Sequence, residues 1–475
     1  MPRSSVREKM PIRDVGLAAA AVIAVPVVTI FTISAGPDGL VTVLVVLMGL
    51  GSVLAALSDK PVLIIGLLVG ASACQRAVGA VTGSPIALWL DDSVLIGMAL
   101  YVLIRLSARI NGKIAAVLLI FVGFLLFALV RSTDFSVGLY QLRQVAVPAL
   151  LLLFGVVFDR EKIKKASPVV LTFIAIGALY GVLELAGIRL IDPSTASGLN
   201  TFSSTNIREN GLPAAYRYFL SDGTVLSRVG GLILNPPSFG ILAATGFIWL
   251  RFSDNRRGPG FVILGLLFAV MTVASLGRGG IVVLGLAIAQ PFITKYSGRL
   301  AFILVGAVMG VVAYGEFVTQ GQSGRHAEGF TYGLTYALSH PIGGGFGLVG
   351  NSVNQLGLAG DDSGAGESLA AIFLTAFGWV GILLLVWLLL RGIGAGTTMP
   401  GVALTSAVLV SLVSETAGGL DAAGPLWILG GFALVGDQSV RKVLAGVVGR
   451  RKKETEPDEQ FLDPKLVTTK GNRFV

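Results

Sequence analysis

Apolar runs of roughly 17 to 25 residues recur along this chain, and polar positions gather in the short gaps between them. That is the length an α-helix needs to cross a bilayer. Fourteen segments fit: 15–34, 39–57, 61–80, 86–107, 114–131, 139–158, 167–187, 235–251, 261–277, 279–296, 300–315, 368–390, 399–415 and 423–437. Gln75, Arg76, Asp91 and Asp92 interrupt the third and fourth, so 76–92 also reads as a re-entrant or interfacial piece, and the range is 12 to 14 transmembrane helices. Isolated strands leave backbone groups unsatisfied in lipid, so the predicted fold is an all-α polytopic membrane protein. Two gaps are long, about 188–234 and 316–367. The second holds a predicted short amphipathic helix over Ala327–Ser339, with Phe330, Leu334 and Leu338 at four-residue spacing and Pro341 ending it.

Composition excludes an ordinary soluble domain: 54% of residues are hydrophobic and 13% charged, with a mean hydropathy of +0.81. One cysteine, Cys74, leaves no internal disulfide and no thiolate metal pattern. Two histidines and no HExxH speak against a transition-metal site, so neither metal nor cofactor is expected. The run at 15–34 is too long for a signal-peptide core and reads as a retained helix.

Lysine and arginine set the orientation. With the N-terminus inside, 27 of the 36 basic residues fall on alternate, cytoplasmic segments. Residues 1–437 then form one membrane domain, and 438–475 a basic, disordered cytoplasmic tail. The other nine basic residues lie on the opposite, extracytoplasmic side: Arg76, Arg131, Arg143, Arg189, Arg208, Arg217, Arg228, Arg278 and Arg325. None is a lysine. Arginine grips phosphate bidentately and keeps its charge, so this side is expected to receive a diphosphate or polyanion. The plainer alternative is pairing with nearby acids or lipid headgroups.

Three stretches carry candidate chemistry. ASLGRGG (274–280) places Arg278 between glycines at a helix start, where the dipole also favours an anion. SGRHAEG puts Arg325 and His326 at the start of the amphipathic helix. In LSHPIGGGFG (338–347), Gly343 and Gly345 shape a close turn or cleft, and His340 caps the helix before it. Arg143 and Arg228 join the candidate binding set. Glu367, just before an apolar helix, is either an N-terminal dipole acid or a general base for a sugar hydroxyl. Glu184 and Glu415 are further candidates to line the same cavity.

Together these stretches resemble the O-antigen ligase and polymerase superfamily of membrane glycosyltransferases. ASLGRGG is similar to its ser-arg-gly segment. Arg325, followed by a helix and PIGGGFG, is similar to its loop arginine and glycine turn. FGWVGILLLVW and LNPPSFGILAA are similar to its later gly-x-x-gly and asn-pro segments, and the likeness covers about 225 to 390. The resemblance implies a metal-independent, inverting transfer from a polyprenyl-diphosphate-linked glycan donor to a glycan or glycolipid acceptor, with no nucleic-acid partner. It implies a bacterial inner (plasma) membrane location, cytoplasmic termini and an extracytoplasmic site. Arg278 and Arg325 would hold the leaving diphosphate and Glu367 would act as base. Ligases tend to carry a histidine where this chain has Glu367-Ser368, which favours a polymerase-like member. The competing expectation is a polyprenyl-diphosphate-glycan flippase or other transporter.

Overall fold

In a computed structural model the chain is described over residues 36–107, 112–158, 160–198, 212–219, 224–253, 258–295, 324–355 and 368–435. The expected spans at 15–34 and 300–315, the tail from 438 and Glu367 lie outside these residues. The first nine long helices are α1 (Gly36–Leu57), α2 (Pro61–Thr82), α3 (Leu90–Ser107), α4 (Gly112–Val130), α5 (Phe135–Val157), α6 (Arg160–Leu185), α8 (Pro236–Phe252), α9 (Pro259–Ala274) and α10 (Arg278–Lys295), with a short α7 (Pro193–Gly198) before α8. Then follow α11 (Gly324–Ser339), α12 (Asn351–Gln355), α13 (Leu369–Phe377), α14 (Trp379–Gly394), α15 (Met399–Val413) and α16 (Leu420–Val435).

Five described helical segments are long and apolar enough to cross a membrane: Gly36–Leu57, Pro61–Thr82, Pro85–Ser107, Phe135–Val157 and Glu161–Leu185. The outer shell agrees. Along α9, Val262, Ile263, Leu266, Val270 and Val273 are each more than half exposed, a surface that needs an apolar solvent. The chain is a membrane-embedded, all-helical bundle with one small exception. A hairpin of β1 (Arg217–Phe219) and β2 (Val225–Ser227) pairs antiparallel in the 188–234 gap.

At the centre, α8, α15 and α16 bury nearly every side chain. Lipid gives no hydrophobic drive between helices, so close contact comes from small residues. Gly155 of α5 faces the Ile428 carbonyl and Gly431 of α16 faces that of Leu152; a Cβ at either would stand 2.1 Å from oxygen. Gly240 and Gly280 make the same approach between α8 and α10.

Two expectations change. The stretch 76–92 is not re-entrant: α2 continues to Thr82, Gly83 turns in the left-handed region, and a 3-10 turn at Pro85–Trp89 leads into α3. The expected single span 368–390 is broken. Gly378 (φ 58°, ψ −130°) ends α13, and Gly381 of α14 packs against Phe373 and Leu374. Leu384, Leu385 and Leu388 share an apolar crevice of about 80 Å³ with Leu369, Ala370 and Phe373, so the two halves fold back on each other. Helix α11 forms over the stretch expected for it. Gly329, Gly333 and Ala337 are its buried positions, and Gly333 lies against Ala371 of α13. Leu338 is 59% exposed.

Candidate functional site

The arginine turn lies where α9 ends and α10 starts. The turn 274–280 is fixed first. Ser275 Oγ accepts from Gly277 N at 3.1 Å, Leu276 takes a left-handed φ of 48°, and α10 starts at Arg278. Gly240 and Gly280 let this turn settle against the start of α8. There Asn235 caps the helix through Ser238 N, with Pro236 and Pro237 in its first turn. The asn-pro segment is therefore a helix start that supports the arginine turn.

Arg228 lies across that turn. Its Nε donates to the Ser275 carbonyl at 2.8 Å and its Nη2 to that of Leu276 at 3.3 Å. Val229 N donates to the Ala274 carbonyl and Arg228 N to that of Tyr216, so hairpin and turn are stitched together. The Arg278 guanidinium sits 6.0 Å from the Tyr218 ring centroid. Burial, and then the neighbouring charge of Arg278, bring Arg228 down to about 10. Two guanidiniums thus stand near enough to repel, with Arg278 at the start of α10. A half-open cavity of about 270 Å³ borders the hairpin, lined by Leu212, Tyr216, Arg217, Val225, Leu226 and Ser227.

Glu184, expected to line a cavity, is used otherwise. It accepts from Gly230 N (3.0 Å), Gly231 N (2.7 Å) and the Tyr216 hydroxyl (3.4 Å), holding the turn before α8. Glu415 accepts from Gln144 Nε2 (2.7 Å) and from Asn351 N, where α12 begins.

Arg143 does not join the Arg228–Arg278 pair. It pairs with Asp92 at 2.8 Å and approaches Asp91 at 3.9 Å, the first-turn acids of α3. Arg76 pairs with Asp421 at 3.2 Å. These carboxylates account for two of the outward arginines. Arg131 is exposed and donates to the Gly343 carbonyl at 2.8 Å.

The glycine turn is a strap over the α13–α14 fold. Gly344 N donates to the Thr375 carbonyl and Trp379 N to that of Pro341. On its other side, Phe346 N donates to Ala128 O, Thr133 Oγ1 to Gly347 O, and Gln141 Oε1 accepts from Gly347 N. Gly343 (φ 79°) and Gly345 (φ 95°) hold left-handed backbone, and a Cβ would stand 2.3 Å from the Ala376 carbonyl or 2.7 Å from that of Arg131. These two glycines line packed backbone. His340 is exposed; its ring stacks on Tyr336 at 4.0 Å, with Nδ1 3.1 Å from the Tyr336 carbonyl.

Arg325 and His326 fall in the first turn of α11, on positions whose side chains are outside the described ones. Glu367 precedes Ser368, where the described chain resumes. Ser368 caps α13 through Ala371 N, and its Oγ donates to the Ser411 carbonyl, one turn before Glu415. Gly279, next to Arg278, packs on Val410 of the same helix, so the arginine turn and Ser368 both border the end of α15. Sequence reasoning missed Tyr218, Asp421 and Gln75. Their signal was faint: one aromatic in a loop, one acid at a helix start and one amide beside an arginine.

Protein-family models, curated proteins and solved structures were compared with the chain, and none matches.

Proposed function

We propose that the chain is a membrane glycosyltransferase of the O-antigen ligase and polymerase kind. It takes a glycan from a polyprenyl-diphosphate carrier at the extracytoplasmic end of the bundle and passes it to a glycan or glycolipid acceptor. The observation that carries this reading is the pairing of Arg228 with Arg278 on the ASLGRGG turn. Like charges repel, and burial adds a desolvation cost, so the arrangement gains most when an anion arrives. Departure of a diphosphate builds negative charge where these groups are already fixed. Arg325, at the start of α11, is the third arginine in this reading, and Glu367 next to Ser368 takes the proton from the acceptor hydroxyl. The order and sidedness of these motifs support the superfamily and a bacterial inner-membrane location, and Glu367-Ser368, where ligases tend to carry a histidine, favours a polymerase-like member. His326, beside Arg325, frames the site on this view.

A second reading, transport of the same lipid-linked donor, is favoured by one observation: the broken and folded-back α13–α14 pair, since discontinuous helices mark many transporters. Binding separates the assignments of Arg228 and Arg278. Purified protein in nanodiscs should bind a short polyprenyl diphosphate, and Arg228→Gln and Arg278→Gln should each weaken binding about 10-fold or more. Unchanged affinity in both would remove the pair from the site.

A further inference from the structure

On the flank of the bundle that the bilayer covers, the half-open apolar crevice of about 80 Å³ has a feature the transfer reading does not use. Phe121 of α4 lines it together with Leu384, Leu385 and Leu388 of α14, and Pro148 and Ala149 of α5. Beside it the same two helices are bare: Leu119, Ile120 and Leu126 on α4, and Leu383, Val386 and Leu390 on α14, are exposed apolar side chains. A crevice that meets hydrocarbon fills with hydrocarbon, because an empty one forfeits dispersion contacts along its lining. Its occupant is therefore a lipid chain, and Arg131 shows where the head of that lipid lies.

Arg131 directly follows α4. Its Nη1 donates to the Gly343 carbonyl of the strap, and its guanidinium lies 5.4 Å from the Phe127 ring centroid. A guanidinium has five N–H donors, so most remain after that one bond. Asp134, the nearest acid in sequence, caps α5 through Ser136 N and Val137 N. Among the described residues, none of the ion pairs includes Arg131. The surface around it is apolar: Val130 is 85% exposed, and Phe127 and Ile342, next to Gly343, are exposed as well. A cation held there stands at headgroup level with its stem in hydrocarbon.

Depth agrees along two helices. Phe121 lies ten residues before Arg131, about 15 Å along α4. Leu384 and Leu388 lie six and ten residues after Gly378, about 9 and 15 Å along α14. Gly378 itself rests against the His340 and Pro341 carbonyls of the strap. Both helices thus carry the crevice a similar distance from the strap, within reach of an acyl chain whose phosphate sits on Arg131.

We propose that this flank binds one glycerophospholipid, with its phosphate on Arg131 and an acyl chain in the crevice between α4 and α14. One guanidinium matches the single charge of a phosphodiester, whereas a diphosphate is better met by two, as at Arg228 and Arg278. The bound lipid joins α4 to α14 and holds the strap from its lipid side. The site stands whether or not the transferase reading holds.

The full-length protein is extracted in mild detergent, washed, weighed by native mass spectrometry and then titrated with phosphatidylglycerol. The wild type should keep one phospholipid per chain. Arg131→Gln removes the head contact and Ala149→Phe fills the crevice, and each should weaken phosphatidylglycerol binding about 10-fold or more. Should Arg131→Gln melt well below the wild type, Ala149→Phe decides alone. No retained lipid, a retained polyprenyl phosphate in place of a phospholipid, or unchanged affinity in either folded variant overturns the proposal.

Discussion

Arg143 and Arg228 look alike in the sequence, yet the fold uses them in different ways. Arg143 meets two carboxylates, while Arg228 rests on two main-chain carbonyls with another guanidinium nearby. The second arrangement sets two like charges near each other. Arg278→Lys keeps that charge and loses the planar fork; transfer activity should fall about 100-fold or more, with melting behaviour unchanged. Steady-state rates alongside Tm check this. Burial and the neighbouring Arg278 lower the Arg228 pKa, so its charge is held at a cost that a bound anion relieves. Residue type could be read from the sequence at these positions, but partners could not. Asp91, Asp92 and Arg143 meet across 51 positions, and nothing in either segment alone announces the pair.

At the scale of elements, periodicity located helices well and packing faces poorly. α11 has its large apolar residues at four-residue spacing, a pattern that marks an apolar face but not what that face meets. The buried stripe is instead Gly329, Gly333 and Ala337, because small residues let α11 and α13 approach backbone to backbone, while in a membrane the large apolar side chains can stay outside. The break at Gly378 was hidden for a related reason: the run 368–390 is apolar throughout, and hydropathy does not register a single residue's φ. That residue has a left-handed φ, and a Cβ there would stand 2.4 Å from two carbonyls of the strap. Gly378→Ala should therefore destabilise the protein by about 1–3 kcal/mol or more, read from denaturation in mild detergent. His340→Ala removes the exposed stacking on Tyr336 and the Nδ1 contacts with the Tyr336 carbonyl and Ser339 Oγ, and should leave the turnover rate within about two-fold while loosening the end of α11. Hydrogen exchange over 336–344 would register the loosening. A folded but inactive His340→Ala protein would make His340 the base in place of Glu367.

For the whole molecule, the hydropathy pattern was enough to give an all-helical membrane bundle, because the bilayer constrains length and backbone bonding so tightly. What it could not give is the convergence of distant segments: the 228 and 278 turns, Ser368 beside Ser411, and the strap joining α4, α5 and α13. These contacts bring the Arg228 and Arg278 turns together and seat Ser368 on α15, and the central claim is that a glycan leaves its lipid diphosphate there. The most direct measurement is on purified protein in lipid, given a polyprenyl-diphosphate-linked oligosaccharide with no added metal, and Glu367→Gln beside the wild type. The account predicts release of free polyprenyl diphosphate with a lengthened or relocated glycan, and none from the variant. Movement of intact donor between leaflets, with no diphosphate released by the wild type, would contradict it.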